Sequence, residues 1–471
     1  MKPVVTVEQM RAMDEAAQRH TPIETLAQRA GHSVAVELLR RLGGASGRRV
    51  VVVAGKGHNG GDGRIAADLL RRRGALVKVV DAGSRVAMDA TLAADAVIDA
   101  AYGTGFRGEY VAPEASPLAF VIAVDIPSGV DGDTGIAHGL PMKADVTVTF
   151  AACKPGLFLA DGPELSGEVV VADIGIDTTA ATAWLMEDSD VTAGLPARPR
   201  NAHKWMSAVY VVAGSVEMGG AAALCSDGAL HSGAGLVCLG VPGAFGARPS
   251  SSVAGGLAGV PREVVWGALP AEDWAKEVLA NLGRYDALVV GPGLGRDQLT
   301  VESIRRLVEL APVPLVVDAD GLAALGSLEE AKELIASRKA PCVLTPHDGE
   351  LERLSGRKAP EDRLAHVLGV SKAIGAVVLS KGSTTVVASP GGEARLVTSG
   401  SPRLATPGTG DVLSGVIGAF LARGVDPLQA ACLGAHVHGR AASLGHSEGF
   451  VAGDLPGLIA QWLSAARDGE I

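Results

Sequence analysis

Short runs of β-branched and other apolar residues alternate with helix-length amphipathic segments along most of the chain. In the first part of the chain these runs predict strands at residues 49–54, 76–81, 96–99, 120–125 and 146–150. Residues 7–43 come before them and predict two helices, the second opened by a capping-box spacing from Thr21 to Glu24 with Pro22 between them. This alternation is typical of a parallel sheet covered by helices.

The alternation stops at residues 188–203, where prolines and mixed charges replace the periodic pattern. It resumes with apolar runs that predict strands at 208–213, 236–240, 287–290, 315–318, 342–344 and 377–379. We therefore predict two α/β domains, residues 1–200 and 201–471, each built on its own sheet. Two independent sheets imply two independent sites.

The composition is that of a folded globular protein, with 47% hydrophobic and 20% charged residues in 471 positions. A formal net charge of −10 argues against binding to nucleic acids or to anionic membranes. The five cysteines are odd in number and widely spaced, which favours buried, reduced thiols and a cytoplasmic protein. Neither an apolar leader nor a run of 18 apolar residues occurs, so we expect no membrane partner.

Three polar or glycine-rich loops follow predicted strands in the first domain. Residues 55–63 (GKGHNGGDG) follow the first strand, and glycines there let backbone amides approach a phosphate, although a tight connection explains the segment equally well. Asp99 precedes a second loop, and Asp125 precedes a third, where it is alternatively a turn cap before Pro127. Because ligands bind at the carboxyl ends of strands in open α/β sheets, we expect these loops to form one crevice.

The motifs GKGHNGGDG, DAAYGTGFRG and VAVDIPSGVDGDTG, in that order, resemble those of NAD(P)H-hydrate epimerase domains. The resemblance implies a Rossmann-like fold and interconversion of the two epimers of hydrated NADH or NADPH (NADHX, NADPHX). It implies that Asp125 is the catalytic carboxylate and that Asn59, Asp99 and Ser128 bind K⁺. The substrate contacts that it implies are His58, Asn59, Gly60, Gly61, Asp62, Gly103, Thr104, Gly105, Phe106, Arg107, Gly108 and Glu109.

Two physical arguments agree with these roles. Amide, carboxylate and hydroxyl oxygens suit a hard cation, and a carboxylate at a strand end can act as general acid and base on a hydroxyl group. One departure is His58, where many relatives carry a second asparagine.

In the second domain, residues 405–411 (ATPGTGD) precede a strongly helical segment. Gly408 to Gly410 can form an anion hole at the helix N-terminus, with Asp411 beside it as a base, although a plain helix start explains the pattern too. Residues 381–385 (KGSTT) lie between two strands and suit a nucleotide phosphate. Further loops at 291–295, 318–322 and 344–347 each follow an apolar strand.

The order and the amino-acid sequences of these segments, over roughly residues 201–460, resemble those of proteins with the ribokinase-like fold, in particular ADP/ATP-dependent NAD(P)H-hydrate dehydratases. The resemblance implies Mg²⁺ with ADP or ATP, and ADP use would give AMP and phosphate. It implies Asp411 as the catalytic base. The hydrate contacts that it implies are Ala221, Gly293, His347 and Asp411, and the nucleotide contacts are Lys381, Gly382, Ser383, Thr384, Thr385 and Gly410.

Two features of the second domain bear on which residues receive a role. His347 by itself is typical of a packed or turn histidine. Residues 201–207 (NAHKWMS) depart from the glycine-containing HKG segment of relatives, so Lys204 is given no role.

The sequence thus predicts a bifunctional repair enzyme: the first domain epimerises the R and S hydrates, and the second dehydrates the S form. We expect small-molecule substrates and a homo-oligomer. One alternative is a vitamin or sugar-like alcohol kinase in the second half, because the fold hosts many of them. Another is a non-catalytic ligand-binding or scaffolding first half.

Overall fold

The computed structural model describes residues 1–84, 91, 93–215, 217–244, 259–358 and 360–469. The chain divides into an N-terminal unit, Lys2–Trp184, and a C-terminal unit, Leu185–Ile471 together with Met1. The division falls before the predicted boundary at residues 200 and 201. The reason is that Met186, Val191 and Leu195 of the proline-containing stretch are buried in the hydrophobic core of the C-terminal unit.

The described helices and strands are as follows. The helices are α1 (Val7–Gln18), α2 (Ile23–Leu42), α3 (His58–Arg72), α4 (Gly162–Ser166), α5 (Asp188–Gly194), α6 (Gly219–His231), α7 (Trp274–Asn281), α8 (Gln298–Leu310), α9 (Asp320–Ala324), α10 (Leu328–Ala336), α11 (Asp348–Ser355), α12 (Arg363–Ile374), α13 (Thr409–Ala422), α14 (Pro427–Leu444) and α15 (Leu455–Asp468). The strands are β1 (Lys2–Val4), β2 (Arg49–Ala54), β3 (Leu76–Asp81), β4 (Ala96–Ala100), β5 (Tyr110–Val111), β6 (Phe120–Val124), β7 (Gly139–Leu140), β8 (Val146–Phe150), β9 (Glu168–Ala172), β10 (Ala183–Leu185), β11 (Ala208–Val212), β12 (Leu236–Val241), β13 (Val265–Ala268), β14 (Ala287–Val290), β15 (Leu315–Val317), β16 (Cys342–Leu344), β17 (Val377–Ser380), β18 (Thr385–Ala388) and β19 (Ala394–Val397).

The N-terminal unit contains a six-stranded sheet with the order β3-β2-β4-β6-β8-β9, in which every pair is parallel. Alternate residues of β2 serve opposite faces: Val50 and Val52 join one buried cluster, whereas Val51 and Val53 join the other. This is the two-sided burial that a parallel sheet requires. The five strands predicted here are confirmed to within one residue at each end.

In the described part of the C-terminal unit, nine strands of the sheet follow one another in the order β19-β18-β17-β16-β15-β14-β11-β12-β13. The pairs from β17 to β13 are parallel, but β18 pairs antiparallel with both β17 and β19. The sheet is therefore mixed. Strands β13 and β19 were not predicted, and β18 was expected only as the strand that follows residues 381–385. The predicted strands 208–213, 236–240, 287–290, 315–318, 342–344 and 377–379 are all present to within one residue at each end.

One helix-capping prediction was wrong. Helix α2 begins at Ile23 with Pro22 as its N-cap, and no side chain caps it. Thr21 therefore lies one residue too early to reach the first-turn N–H groups. A capping box is found instead at α1, where Thr6 and Gln9 satisfy each other's backbone groups.

The five cysteines are all buried and free of disulfides, as predicted. In the part of the chain that the structure describes, no helix combines the length and apolar character needed to cross a bilayer.

Two candidate active sites

The glycine-rich segment after β2 passes straight into α3. This helix begins at His58, with Gly57 as an extended N-cap, so His58, Asn59 and Asp62 lie in its first turns and not in the predicted separate loop. Gly60 is required by a close approach, since a Cβ there would lie 2.0 Å from the Gly55 carbonyl oxygen. The N-terminus of α3 thus lies at the carboxyl edge of the sheet, where helix N–H groups favour an anion.

A cleft of about 1230 Å³ opens at this edge. The predicted residues that line it are His58, Asn59, Asp62, Gly103, Thr104, Gly105, Phe106, Arg107 and Asp125. The other predicted contacts, Gly60, Gly61, Gly108 and Glu109, are not in the described lining. The volume exceeds that of ordinary drug-sized pockets and leaves room for a dinucleotide.

Aromatic side chains form one wall of this cleft. The ring centroids of Tyr102 and Phe106 lie 4.4 Å apart, and Tyr110 packs edge-on against Tyr102 at 5.1 Å. Tyr102 and Phe106 both face the cleft. A flat heterocycle can pack against such a wall.

Asp125 follows β6 directly and has a φ angle of 65°, which is uncommon for a residue with a side chain. The Lys154 ammonium donates to Asp125 Oδ1 at 2.6 Å and also to Thr149 Oγ1 at 3.0 Å and the Phe150 carbonyl at 3.2 Å. Lys154 is only 1% exposed. Sequence reasoning missed Lys154, although a lone lysine in the apolar run FAACKPGLFLA after a strand is a usable signal.

Four further carboxyl groups line the cleft with Asp125 and Lys154, those of Asp14, Glu15, Asp62 and Asp81, and two of them have raised pKa values. Burial raises the pKa of Asp62 to about 7, and the negative charge of Asp125 contributes to the rise. Burial also raises the pKa of Asp14, against the opposing effect of Lys154. Asp14, on α1, was not predicted from the sequence. The cleft therefore holds groups that can exchange protons near neutral pH.

Two of the three predicted K⁺ ligands, Asn59 and Ser128, contact the carbonyl oxygen of Tyr102, and the third, Asp99, contacts Ser128. Asn59 Nδ2 donates to this oxygen at 3.0 Å, and Ser128 Oγ lies 3.1 Å from it. Ser128 also donates to the buried Asp99 carboxylate through Oγ at 2.6 Å and through its backbone N–H at 2.8 Å. Burial raises the pKa of Asp99, although these hydrogen bonds oppose the rise.

In the C-terminal unit, α13 begins at Thr409 after Gly408, whose φ of 94° requires a glycine. Asp411 lies in the first turn of this helix. Burial raises the pKa of Asp411 to about 7; the charge of Asp318 adds to the rise, and that of Lys381 opposes it. The helix start therefore combines an anion-binding N-terminus with a carboxyl group that titrates near neutrality.

Lys381 lies beside this helix start, at the end of β17. Its Nζ donates to Asp318 Oδ1 at 2.9 Å and lies 3.8 Å from Glu350 Oε2. Ser414 Oγ donates to the other Asp318 oxygen at 2.7 Å. Asp318, Glu350 and Ser414 had no predicted role.

The segment Lys381 to Thr385 connects β17 to β18, as predicted. Arg363 of α12 donates to the backbone carbonyl of Lys381 at 2.8 Å, and a Cβ on Gly382 would lie 2.4 Å from its guanidinium group. Arg363 therefore packs on the loop predicted to bind nucleotide, which sequence reasoning did not detect. Of the remaining loop residues, Thr384 is buried and Ser383 is exposed.

The predicted hydrate contacts fall into two groups. Gly293 adjoins Ala221, because a Cβ on Gly293 would lie 2.9 Å from the Ala221 Cβ. His347 is the N-cap of α11: its Nδ1 accepts from the N–H groups of Gly349 and Glu350 at 3.0 and 3.3 Å. The histidine is thus a turn residue; its ring is largely exposed, and Nε2 lies 3.6 Å from Glu350 Oε1.

Family models match both units. The model described as NAD(P)H-hydrate dehydratase matches residues 209–464, and the one described as YjeF-related protein N-terminus matches residues 23–94 and 81–156. The fold and sites define a two-domain α/β protein with a YjeF-type N-terminal unit and a ribokinase-like C-terminal unit.

Comparison with similar proteins identifies the family within this class. The bifunctional NAD(P)H-hydrate repair enzyme Nnr of Moorella thermoacetica is 35% identical over 96% of this chain and 95% of its own length. The enzyme of the same name from Mycobacterium tuberculosis is 37% identical over 92% of this chain and 91% of its own. The chain belongs to the family of bifunctional NAD(P)H-hydrate repair enzymes.

Two solved structures agree with the C-terminal fold. An ADP/ATP-dependent NAD(P)H-hydrate dehydratase from Bacillus subtilis, co-crystallized with ATP/Mg²⁺, is 27% identical and aligns with a TM-score of 0.51 over 59% of this chain and 97% of its own. A ribokinase-like superfamily protein from Enterococcus faecalis is 22% identical, with a TM-score of 0.50 over 61% of this chain and 96% of its own.

Proposed function

We propose that this chain repairs hydrated NADH and NADPH. The N-terminal unit interconverts the R and S hydrates, and the C-terminal unit dehydrates the S hydrate with ADP, giving AMP and phosphate, or with ATP. The observation that carries the proposal is the position of Asp411, a half-buried carboxyl group with a pKa of about 7 in the first turn of α13. A base of this strength at an anion-binding helix end suits phosphoryl transfer to an alcohol.

Dehydration takes place in two steps. Asp411 accepts the proton of the C6 hydroxyl. The hydroxyl oxygen bonds to the terminal phosphorus of the nucleotide substrate, which binds with Mg²⁺. The bond between that phosphorus and the bridging oxygen of the nucleotide breaks. Phosphate then leaves C6 with the electron pair of the C–O bond, and loss of the C5 proton restores the ring double bond. The N-terminus of α13 stabilises the transferred group.

Epimerisation needs the same C6 hydroxyl to leave and return on the other ring face. Asp125 donates a proton to the hydroxyl, which leaves as water with the electron pair of the C–O bond, and takes a proton back from the water that adds to the other ring face. The buried Lys154 holds the Asp125 carboxyl group in place through its 2.6 Å hydrogen bond. The cleft beside the α3 N-terminus accommodates the remainder of the nucleotide.

We also propose that Asn59, Asp99 and Ser128 bind K⁺ in the N-terminal unit. The residues fit this ion because the donors are oxygens and because no basic group contributes to the shifted pKa of the buried Asp99. The ion supplies a positive charge that neutralises Asp99. Replacing K⁺ by a large organic cation in the buffer should lower the rate of epimer exchange and leave dehydration of the pure S hydrate unchanged.

The function is tested with an epimer mixture of hydrated NADH, Mg²⁺, K⁺ and either ADP or ATP. Complete recovery of NADH absorbance, with one AMP formed per NADH when ADP is used, supports both activities. If the recovery of NADH stops once the S hydrate is exhausted, and continues only at the rate of spontaneous exchange between the hydrates, the epimerase assignment is contradicted. A stable phosphorylated alcohol as the end product would favour the alternative of a small-molecule kinase.

For the setting of this reaction we propose a cytoplasmic homo-oligomer. The five cysteines are all buried, which is consistent with a reducing compartment. Analytical ultracentrifugation tests the assembly: a single species at the monomer mass across micromolar concentrations would contradict it.

A further inference from the structure

Asp318 lies immediately after β15 and is fully buried. One of its carboxylate oxygens accepts from the Lys381 ammonium at 2.9 Å, and the other accepts from Ser414 Oγ at 2.7 Å. Both oxygens are therefore engaged, by groups from two different elements. This fixes the orientation of the carboxylate, so the Lys381 ammonium is fixed with it.

The position of this ammonium relates it to the reaction. A Cβ on Gly410 would lie 3.5 Å from Lys381 Nζ, so the cation borders the first turn of α13 next to Asp411. The Lys381 side chain is 22% exposed, and without an anchor such a long side chain can turn towards solvent. Asp318 prevents this, since breaking a buried ion pair is costly.

We propose that Asp318 is a positioning residue of the dehydratase site, which holds the Lys381 ammonium where it faces both the transferring phosphoryl group and the Asp411 carboxylate. The inference rests on the proposed function, and it adds a role for a residue that does not itself touch substrate. A fixed ammonium stabilises negative charge on the phosphoryl oxygens as the bond to the leaving nucleotide breaks.

The charges around Asp411 give this arrangement a measurable signature. Burial raises the pKa of Asp411, and three negative charges raise it further, those of Asp318 after β15, Asp320 on α9 and Glu350 on α11. The charge of Lys381 lowers it. Two other titratable groups pack nearby in uncharged form. Burial lowers the pKa of His438 on α14 to about 4, and burial raises the pKa of the Cys225 thiol on α6.

Four full-length variants separate charge from position. Asp318→Asn keeps an oxygen for Lys381 but removes the charge, whereas Asp318→Ala removes the anchor. Lys381→Gln removes the cation, and Ser414→Ala removes one of the two contacts that orient Asp318. The matched control is Asp286→Asn, because Asp286 accepts a backbone hydrogen bond from Ala208 at the opposite edge of the same sheet.

The measurement is the pH dependence of kcat and kcat/KM for dehydration of the S hydrate. The acid limb of the profile is the range in which the rate rises with pH. This limb should lie about one pH unit lower in Asp318→Asn and about one unit higher in Lys381→Gln. Asp318→Ala should lower kcat about 10- to 100-fold, as Lys381→Gln does, with Asp318→Asn in between and the control unchanged. Ser414→Ala should give a smaller loss than Asp318→Ala.

The outcomes distinguish this inference from the function on which it rests. A wild-type protein that converts no hydrate with either nucleotide overturns the proposed function, and the inference with it. If the wild type is active but the acid limbs of Asp318→Asn and Lys381→Gln both move in the same direction, the inference alone is overturned. An Asp318→Ala variant that keeps the wild-type kcat overturns it as well. If Asp318→Ala does not fold, judged by its thermal unfolding, an unchanged kcat in Ser414→Ala overturns the inference instead.

Discussion

The two candidate sites use the same pair of chemical groups in different ways. In the N-terminal cleft, the buried Lys154 bonds at 2.6 Å to Asp125, the carboxylate expected to react. In the C-terminal site, Lys381 bonds at 2.9 Å to Asp318, a neighbour of the expected base Asp411. Each site thus places a lysine within an acidic cluster, but only one places it on the reacting carboxylate.

A second comparison concerns the carboxyl groups with raised pKa values. The pKa of about 7 belongs to Asp62 in the first site and to Asp411 in the second, and in neither case does the lysine bond to that group. Burial is the leading cause in both sites, and a nearby aspartate adds to it. In both sites, the lysine therefore bonds a carboxylate other than the one whose pKa burial raises to about 7.

The largest expected effect is that of Asp411→Ala. Recovery of NADH should fall by about 10² to 10⁴, because the general base is missing, while epimer exchange continues. The two rates are measured separately, by NADH absorbance and by chromatography of the two hydrates. Near-normal dehydration by this variant would show that Asp411 serves only as a residue of the helix start.

Asp125→Asn should have the converse effect, with epimer exchange lowered by about 10² while dehydration of the S hydrate stays at the wild-type rate. The amide keeps an oxygen for Lys154 but cannot accept the substrate proton. Asp145→Asn is the matched control, because Asp145 accepts the Val121 N–H at 2.7 Å, at the other edge of the same sheet. If the Asp125 variant consumes an epimer mixture at the wild-type rate, Asp125 is only a turn residue.

A smaller effect follows from pH. Asp411 must be deprotonated to act as a base, so dehydration should rise with pH through its pKa of about 7 and be about tenfold below the plateau at pH 6. Initial rates with pure S hydrate, in buffers of constant ionic strength, test this. A flat profile between pH 5 and pH 8 would contradict the assignment, given that one pH unit is about a factor of ten.

The smallest effect on activity is expected on cutting the chain. Fragments 1–184 and 185–471 should keep epimer exchange and dehydration, respectively, because each unit has its own core. A fragment that starts at residue 201 should unfold at a lower temperature than one that starts at 185, since it lacks Met186, Val191 and Leu195. Calorimetry compares the two. A fragment 185–471 that dehydrates only after addition of the other fragment would mean a shared site.

Most of the fold was predictable from periodicity, but caps and boundaries were not. The predicted strands were found because buried parallel strands are continuous apolar runs, as in residues 49–54. Strand β19 was missed because it is short and Arg395 interrupts its apolar run. The helix cap at Thr21 failed by one residue, and the domain boundary moved because three apolar residues in a proline-containing stretch pack into the second core.

The sequence by itself determined which loops lie at the carboxyl ends of the strands, because Asp99, Asp125 and the glycine-rich segments directly follow apolar runs that form parallel strands. Only the tertiary structure decided the electrostatics. Lys154 and Lys381 lie 29 and 63 residues away in sequence from the carboxylates that they bond. Burial, the main cause of the raised pKa of Asp62 and Asp411, depends on packing by distant segments. No local pattern encodes either property, since both depend on which segments the fold brings together.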